Sequence, residues 1–409
     1  MDAVTTTPRA WWGAALAVAA VGWGANQFVP LLLLYRDRLD LSTATLQALF
    51  GLYALGLVPG LLLGGPISDR HGRRRVALLA LATSLLATTL LSAGTCGGLY
   101  AGRLIAGVAS GAAFASGAAW IKELSAAGSP TGARRGPRRA TVAMTVGFAA
   151  GPLVAGVLAQ WAPAPTVVPY LPHLALTAAA IGAALRTPEI RHARPAGGLW
   201  RQLRPTGTHD HRFRTVVLPL APWVFASASI ALSYLPGLVA DRVAGHAVVF
   251  SAGNAGLTAG AGIAVQPLAR RLEQAGAGRP IRVSLTLVAL GVLAAATAAA
   301  STEPALVLAA AAVLGAGYGC CQVAGFAEVQ RIAAADELAG LTAVYQAVTY
   351  LGFAVPFVLA AAEPVLAPGR SLSILAALAA GTLWWTSRRA ARARPDQGSP
   401  IGALRGPEH

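Results

Sequence analysis

Charged residues are scarce in this sequence. Asp, Glu, Lys and Arg make up 12% of its 409 residues, and 55% are apolar, whereas a soluble domain carries roughly 25% charged residues. The mean hydropathy is +0.58. Cysteine occurs three times, at Cys96 and at the adjacent pair Cys320 and Cys321, which cannot easily bridge each other. This composition excludes an ordinary soluble globular protein and a disulfide-stapled fold.

The sequence also lacks the motifs that hold cofactors. Its single lysine, Lys122, follows Ile121, so no glycine-rich loop ending in Gly-Lys exists to bind ATP phosphates. The glycines of 315–319 lack the third glycine of a dinucleotide loop. The segment 209–211, His-Asp-His, has no other His or Cys near it in sequence to complete a metal site. We therefore expect no metal, no cofactor, no ATP drive and no enzymatic activity.

Long apolar runs take the place of charge. A helix of about 20 residues crosses a hydrocarbon core of roughly 30 Å, and runs of this length recur along the chain. We expect an all-α membrane protein with twelve transmembrane helices in two pseudo-symmetric six-helix bundles. The predicted spans, one to twelve, are 11–35, 46–65, 76–93, 99–121, 140–161, 167–185, 216–239, 247–268, 283–300, 305–327, 338–362 and 372–385.

The positive charge is unevenly distributed. A net charge of +16 would suggest a nucleic-acid partner in a soluble protein. Here the arginines cluster in alternate loops, including 73–75, 134–139, 270–271 and 388–394, which is the positive-inside pattern of membrane proteins. We predict a multi-pass protein of the cell inner (plasma) membrane with both termini cytoplasmic, a monomer that contacts the lipid bilayer and binds no nucleic acid.

The chain repeats itself at an offset of about 205 residues. The segment 147–152 of span five, Gly-Phe-Ala-Ala-Gly-Pro, matches 352–356 of span eleven, Gly-Phe-Ala-Val-Pro. Two parallel repeats of six helices place a substrate site at mid-membrane between them. We predict an N-terminal bundle over 1–185, a cytoplasmic linker over 186–214, a C-terminal bundle over 215–387 and a basic cytoplasmic tail over 388–409.

A motif between spans two and three points to a family. Residues 65–75 read Gly-Pro-Ile-Ser-Asp-Arg-His-Gly-Arg-Arg-Arg, and a weaker copy follows span eight at 266–271. The motif resembles the signature loop of the major facilitator superfamily. The resemblance implies a latch in which Asp69 meets the start of span eleven and Arg73 or Arg74 pairs with Glu123. The candidate latch residues are Gly65, Asp69, Arg70, Gly72, Arg73, Arg74 and Glu123.

Spans four and five carry further matches. Arg103 with Gly107 and Gly111 resembles the family's motif in span four, and the segment 147–156 resembles the span-five motif of bacterial drug and metabolite efflux antiporters. Arg103 is the formal charge deep within a span, so we expect either a functional role or a clamp on backbone carbonyls. The residues expected to pack or kink helices are Gly107, Gly111, Gly147, Gly151, Pro152 and Gly156.

Polar and aromatic residues of the predicted spans are candidates for contact with a substrate. Aromatic and amide groups with one embedded cation favour an amphipathic organic solute, with an anionic one left open. The predicted substrate pathway comprises Trp23, Asn26, Gln27, Tyr53, Arg103, Trp223, Ser227, Asn254, Tyr318, Gln322, Tyr345, Gln346 and Tyr350.

The family resemblance and the residues of the predicted spans point to different conclusions about the energy source. The resemblance to antiporters implies proton-coupled efflux, yet the predicted spans have no central carboxylate that could carry a proton. The remaining candidates are Asp37, at the outer end of span one, and His173, early in span six. The function we predict is secondary active transport of a small organic solute. The alternatives are a uniporter or importer of a small metabolite and a non-transporting membrane receptor of the same fold.

Overall fold

The computed structural model describes residues 9–128, 130–190, 206–276, 278–334 and 337–392, and in these residues it contains helices and no strands. The helices in the first part of the chain are α1 (Trp11–Asn26), α2 (Leu32–Leu39), α3 (Thr43–His71), α4 (Arg73–Ser92), α5 (Cys96–Gly128), α6 (Pro130–Trp161) and α7 (Leu171–Arg186). Those that follow are α8 (Phe213–Leu238), α9 (Ala247–Ala264), α10 (Gln266–Gln274), α11 (Arg279–Ser301), α12 (Pro304–Ile332), α13 (Leu338–Thr349), α14 (Val355–Ala362) and α15 (Pro368–Arg392). The predicted all-helical membrane protein is confirmed.

Ten helices of the described residues are long and apolar enough to cross a membrane. The first and last predicted spans are the two that do not qualify. Predicted span one is divided into α1 and α2 because the chain tightens between them, where the N–H groups of Val29 and Leu31 donate to carbonyls three residues earlier and Pro30 has no N–H. Helix α15 is long, but Ser, Thr, Trp and Arg dilute its apolar residues.

Two predicted boundaries are wrong by about two to three helical turns. Helix α3 continues to His71, so Gly65, Asp69 and Arg70 lie in its last turns instead of in a loop. Gly72, with φ of +104°, ends α3 and lets α4 begin at the next residue, because this backbone conformation favours glycine. Helix α6 begins at Pro130, ten residues before predicted span five. Most of the predicted linker, 191–205, and residues 393–409 of the tail lie outside the described residues.

Buried apolar side chains form two clusters. One draws on residues 14–184, with Ala255 and Phe353 joining it from later in the chain. The other draws on residues 213–379. Each cluster is built from one repeat of the sequence, and we refer to these parts of the molecule as the first and second halves.

The two halves meet through two pairs of helices. Helix α3 packs against α13, the 3₁₀ turn Tyr350–Ala354 and α14, while α6 packs against α9. We call the end of the helices that carries Arg73 and Arg212 the basic end, and the other the opposite end. The side-chain contacts described between the halves lie toward the opposite end, where Gln47 donates to the Ser233 carbonyl at 2.9 Å and Gln160 to the Gly245 carbonyl at 2.5 Å.

Candidate functional site

Six aromatic rings lie together where the halves meet. Phe225 of α8 is central: its ring centroid is 4.5 Å from that of Tyr350, 5.1 Å from that of Phe353 and 5.6 Å from that of Tyr318. From the first half, the ring of Phe50 stacks on Phe353 at 5.2 Å and the ring of Tyr53 lies 6.1 Å from it. We call this set the aromatic floor, comprising Phe50, Tyr53, Phe225, Tyr318, Tyr350 and Phe353.

Local backbone geometry assembles the second half's share of the floor. Tyr350 and Phe353 lie in the 3₁₀ turn Tyr350–Ala354, in which residues three apart lie on the same side. Gly352 lies between them against α8, where an added Cβ would clash with the backbone at Pro222 and Ala226. The turn therefore presses against α8 and brings both rings to Phe225.

Unpaired polar atoms lie one helical turn from the floor, toward the basic end. Gln322 is one turn from Tyr318 on α12, and Gln346 is one turn from Tyr350 on α13. The Oε1 atoms of both amides are buried and have no hydrogen-bond partner, and so is the Nε1 atom of Trp23 on α1. A buried polar atom without a partner costs about 1 to 3 kcal/mol. Each of these three groups can therefore form a hydrogen bond with a bound solute.

Helix α1 has one half-exposed stripe. Leu16, Ala19, Trp23 and Asn26, at helical spacing, are partly exposed, and the side chains from Gln27 to Leu33 are buried. The stripe begins near the basic end and stops at the turn between α1 and α2. From α1 to α2 the exposure therefore changes from one half-exposed stripe on the basic side of the turn to full burial from Gln27 to Leu33.

Arg103 is fully occupied within the first half. Its side chain is buried on α5, and Nε, Nη1 and Nη2 donate to the carbonyls of Leu49, Ala25 and Phe50 at 3.1 to 3.2 Å. The guanidinium carbon also lies 4.7 Å from the ring centroid of Tyr53 and 4.9 Å from that of Phe28. Arg103 thus clamps α1 and α3 at the floor, and its positive charge lies in a side chain that is 1% exposed.

His173 belongs to a buried chain of hydrogen bonds across α1, α4 and α7. Gln27 Nε2 donates to Thr88 Oγ1 at 3.1 Å, and Thr88 Oγ1 lies 2.9 Å from His173 Nδ1. His173 Nε2 lies 3.1 Å from the carbonyl of Ala20 and 3.1 Å from Thr177 Oγ1. A carbonyl only accepts, so Nε2 carries the proton and Nδ1 accepts from Thr88.

Asp37, the other candidate for a proton site, has a different environment. Its side chain is 69% exposed at the end of α2 and pairs with the adjacent Arg36 at 3.0 Å. This carboxylate therefore lies at the surface of the opposite end, apart from the floor and from the chain of His173.

Four other residues of the predicted substrate pathway lie within the second half, and of their polar atoms Asn254 Oδ1 and the Tyr345 hydroxyl are buried without a partner. Trp223 donates to Thr382 Oγ1 at 3.2 Å, and Ser227 donates to carbonyls of its own helix. Asn254 Nδ2 donates to the Ala231 carbonyl at 2.6 Å. The buried hydroxyl of Tyr345 lies against Gly325, between α12 and α13. The structure thus separates these four residues from the partly exposed set around the floor.

The candidate latch residues lie at the basic end of the first half. Arg73 bonds to Asp69 and lies 3.1 Å from Glu123, so it links α3, α4 and α5. Arg74 instead bonds to carbonyls near the end of α7. Glu189 accepts the N–H groups of Arg73 and Arg74 at 2.7 and 2.8 Å, which satisfies the start of α4.

The glycines of the motifs in predicted spans four and five lie at close helix crossings. An added Cβ at Gly107 or Gly111 would clash with the backbone of α3, and one at Gly147 or Gly151 with the backbone of α1. An added Cβ at Gly156 would clash with Ala252 of the second half. Pro152 lies within α6, which continues through it to Trp161.

A second charged cluster lies at the basic end of the second half. Glu328 is buried and accepts from Arg212 at 2.5 and 3.0 Å and from Arg331 at 2.6 Å. The hydrogen bond to Glu328 raises the pKa of Arg212. Nearby, Glu337 accepts from Thr206 and Gly207, and these hydrogen bonds, those of Thr206 first, lower its pKa.

Sequence reasoning missed half of the floor. Phe50, Phe225 and Phe353 were not among the predicted site residues, because a phenylalanine in an apolar helix gives no sign of facing the other half or the lipid. A signal was available for Phe353 alone, since it lies in the repeated segment 352–356.

Comparisons with known proteins agree with this arrangement. The sequence profile of the Major Facilitator Superfamily matches residues 13–356. No curated protein matches the chain. Among solved structures, a POT family transporter in complex with 5-aminolevulinic acid has a TM-score of 0.75 at 11% identity, covering 94% of this chain and 96% of that one. The nucleoside transporter NupG, in a mutant form, has a TM-score of 0.75 at 12% identity, covering 93% and 99%. The chain belongs to the Major Facilitator Superfamily and is a transporter, not an enzyme.

Proposed function

We propose that the protein is a secondary active transporter that moves a small organic solute across the cell membrane by alternating access. The observation that carries the proposal is the position of the contacts between the halves. They lie at the floor and beyond it, while unpaired amides and the half-exposed stripe of α1 lie on the basic side. Such an arrangement is expected of a carrier in a conformation that is open to one side of the membrane.

The topology we propose has twelve spans in two six-helix bundles, with α1 and α2 forming the first span and α15 the last. The arginines of the basic end then face the cytoplasm, as do both termini. In this orientation the contacts at the opposite end close the outer side, so the protein faces inward. The bond between Arg73 and Asp69 fits this state, because Asp69 is then engaged within its own half and not with α13.

In the transport step that we propose, the aromatic rings of the floor separate between the two halves. Phe50 and Tyr53 belong to the first half and Phe225, Tyr350 and Phe353 to the second, so rocking of the halves separates the rings across one plane. Aromatic pairs contribute about 0.5 to 1.5 kcal/mol each beyond burial. A seal of this strength can break and reform in each cycle.

We propose export in exchange for protons, with His173 as the proton site. Support comes from the span-five motif and from the chain Gln27, Thr88, His173. A proton added to Nδ1 of His173 converts that atom from acceptor to donor, so the hydroxyl of Thr88 must reverse its direction. The effect reaches Gln27 on α1, the helix that carries the half-exposed stripe. Asp37 lacks such a connection, because it is exposed and pairs with Arg36.

Alternating access can be tested without knowing the solute. Cys96, Cys320 and Cys321 are changed to Ala, and a single cysteine is placed at Gln322, on the basic side, or at Gly256, where α9 meets Leu153 of α6. A membrane-impermeant thiol reagent should label Gln322→Cys from the basic side. It should label Gly256→Cys from the opposite side only when the halves rock. Labelling at Gly256→Cys that never exceeds that of a buried control such as Ala310→Cys would contradict the proposal.

Proton coupling needs a separate experiment in everted vesicles. Solute accumulation should collapse when the pH gradient is dissipated, and it should be lost in His173→Gln while Asp37→Asn retains it. Accumulation that ignores the gradient would favour uniport. Gradient dependence that survives His173→Gln and fails in Asp37→Asn would move the proton site to Asp37.

A further inference from the structure

The polar groups beside the aromatic floor are uncharged and partly unpaired. Gln322 of α12 and Gln346 of α13 are partly exposed side chains whose Oε1 atoms are buried without a partner. Trp23 adds an unpaired indole N–H from α1, in the other half. A buried polar atom without a partner is unfavourable. Binding of a solute that supplies matching donors and acceptors to these atoms is therefore favourable.

The charged groups of the described spans are already satisfied. Arg103 donates to three carbonyls, and both ring nitrogens of His173 have partners within the first half. Glu328, near the basic end of α12, is neutralised by Arg212 and Arg331. An ionised solute entering the site would lose its hydration, and Arg103, whose charge lies beside Tyr53 of the floor, is 1% exposed and cannot contact the solute directly.

The floor itself favours flat rings. Phe225 and Tyr350 stack with an interplanar angle of 14°, and Phe50 and Phe353 with one of 22°. A planar ring can extend such a stack, and its edge then comes level with groups one helical turn away. The amides of Gln322 and Gln346 occupy that position.

We infer that the site binds an uncharged, planar, ring-containing solute with hydrogen-bonding groups at its edge, such as an aromatic amide or a neutral heterocycle. The inference rests on the proposed transport function and names its class of substrate. It argues against the anionic solute that the sequence left open, because the buried guanidinium of Arg103 is held by backbone carbonyls and cannot contact a solute directly.

A matched series of four probes tests charge and planarity separately. The full chain in lipid nanodiscs is titrated with 2-naphthamide, 2-naphthoate, 2-(aminomethyl)naphthalene and decahydro-2-naphthamide, with empty nanodiscs as the blank. We expect 2-naphthamide to bind at least about tenfold more tightly than either ion and about fivefold more tightly than the saturated amide. Equal binding of the four, tighter binding of an ion, or binding of none overturns the inference.

Two substitutions assign the contact to the amides. Gln322→Leu and Gln346→Leu should each weaken binding of 2-naphthamide by about fivefold and leave binding of 2-methylnaphthalene unchanged. Gln330→Leu, on the same helix as Gln322 but exposed at the basic end, is the matched control and should change neither. If all three variants bind the amide like the parent chain while thermal unfolding shows them folded, the amides are not the contact.

The outcome is distinguishable from failure of the transport proposal. Thiol labelling at Gly256→Cys reports rocking of the halves without any solute. Intact rocking combined with a failed probe series removes only the solute class, whereas absent rocking removes transport itself.

Discussion

The two ends of the molecule are held together by different kinds of contact. At the opposite end, contacts cross between the halves and are mainly aromatic or involve an uncharged glutamine, as in Phe50 against Phe353 and Gln160 with Gly245. At the basic end, the strongest contacts are ion pairs that stay within one half, as in Arg73 with Glu123. The chain thus uses charge to build each half and neutral contacts to join the halves.

This difference follows from what each end must do. An ion pair that is partly buried costs several kcal/mol to break if one partner is left without water. Stacked rings separate at about 0.5 to 1.5 kcal/mol per pair beyond burial. Contacts that must break in every cycle are therefore better made from rings and amides, and contacts that must persist are better made from charges.

Fixing the neutral contacts permanently should have the largest effect. With the three native cysteines changed to Ala, Leu153→Cys and Gly256→Cys place thiols where α6 meets α9, since a Cβ on Gly256 would lie 3.1 Å from Leu153. A short bifunctional methanethiosulfonate should abolish transport, because the opposite end can no longer open. Flux in proteoliposomes before and after addition of a reductant is the measurement.

The control for this cross-link is a pair inside one half. Cysteines at Leu314 and Gly291 of the second half, where a Cβ on Gly291 would lie 2.8 Å from Leu314, should leave flux near the parent value after the same treatment. Transport that persists in the cross-linked chain with Leu153→Cys and Gly256→Cys would mean that this contact does not open.

Removing the clamp behind the floor should have the next largest effect. Arg103→Ala removes the three side-chain hydrogen bonds to the carbonyls of Ala25, Leu49 and Phe50, at about 1.5 to 3 kcal/mol for each bond from a charged donor. The carbonyls of Leu49 and Phe50 lie inside α3 and keep their helical donors. We expect transport to fall by at least tenfold, because α1 and α3 lose the contact that joins them at the floor, while the packing of the other helices keeps expression near normal.

Arg103→Lys separates charge from geometry. Lysine keeps the positive charge but cannot span three carbonyls with a planar fork, so it should rescue little of the flux. Full activity of Arg103→Lys would show that charge alone is needed, which would favour a direct role in binding or coupling. Flux and thermal unfolding measured on the same preparation distinguish the two.

The helical fold could be predicted because its signals are local. Apolar length gives the spans, and the motif at 65–75 gives the family and places Arg73 near Glu123. The extension of α3 to His71 escaped prediction because Asp69 and Arg70 suggest a loop, although the helix continues until Gly72 adopts a positive φ.

The candidate site could be predicted only in part. The sequence predicted three of the floor residues, because a hydroxyl group is unusual in a span that faces lipid. They are Tyr53, Tyr318 and Tyr350. Phe225 was not predicted, because a phenylalanine in an apolar helix gives no sign of which neighbour it faces. Phe353 was not predicted, because its facing depends on the 3₁₀ turn at Tyr350–Ala354, which departs from the 3.6-residue period used to assign faces. The role of Arg103 as a clamp depends on the carbonyls that it reaches, and these become known only when α1 and α3 are in place.

A buried ion pair within one half should affect stability more than transport. Glu328→Gln removes the negative charge with which Arg212 and Arg331 both pair. We expect the free energy of unfolding to fall by about 1 to 3 kcal/mol, which is measured as a lower melting temperature. Glu273→Gln is the matched control, because Glu273 is one-third exposed and lies 3.5 Å from Arg331, so its loss should cost about 0 to 1 kcal/mol. Equal losses would mean that burial of Glu328 confers no advantage. Remaining flux per folded molecule should match the parent chain.

The smallest effect should come from an exposed carboxylate that caps a short turn. Glu337 accepts from the hydroxyl of Thr206 and from the N–H groups of Thr206 and Gly207, which lowers its pKa. A depressed pKa means that the interaction is fully present above the ordinary Glu value, about 4.3, and is lost as pH falls through the lower folded value. Amide exchange of Thr206 and Gly207 at pH 7 should therefore be about threefold faster in Glu337→Ala, in keeping with a solvent-exposed site.

The pH dependence makes this last prediction specific to the carboxylate. In the parent chain the protection of the Gly207 amide against exchange, corrected for intrinsic exchange, should stay constant from pH 7 to 5 and decline below about pH 4, whereas in Glu337→Ala it should be low throughout.

Glu189 offers the comparison in the first half, because it caps the N–H groups of Arg73 and Arg74 from a partly buried position. Glu189→Ala should expose those two groups more strongly than Glu337→Ala exposes Gly207. The reverse order would mean that the linker is anchored more firmly to the second half than to the first.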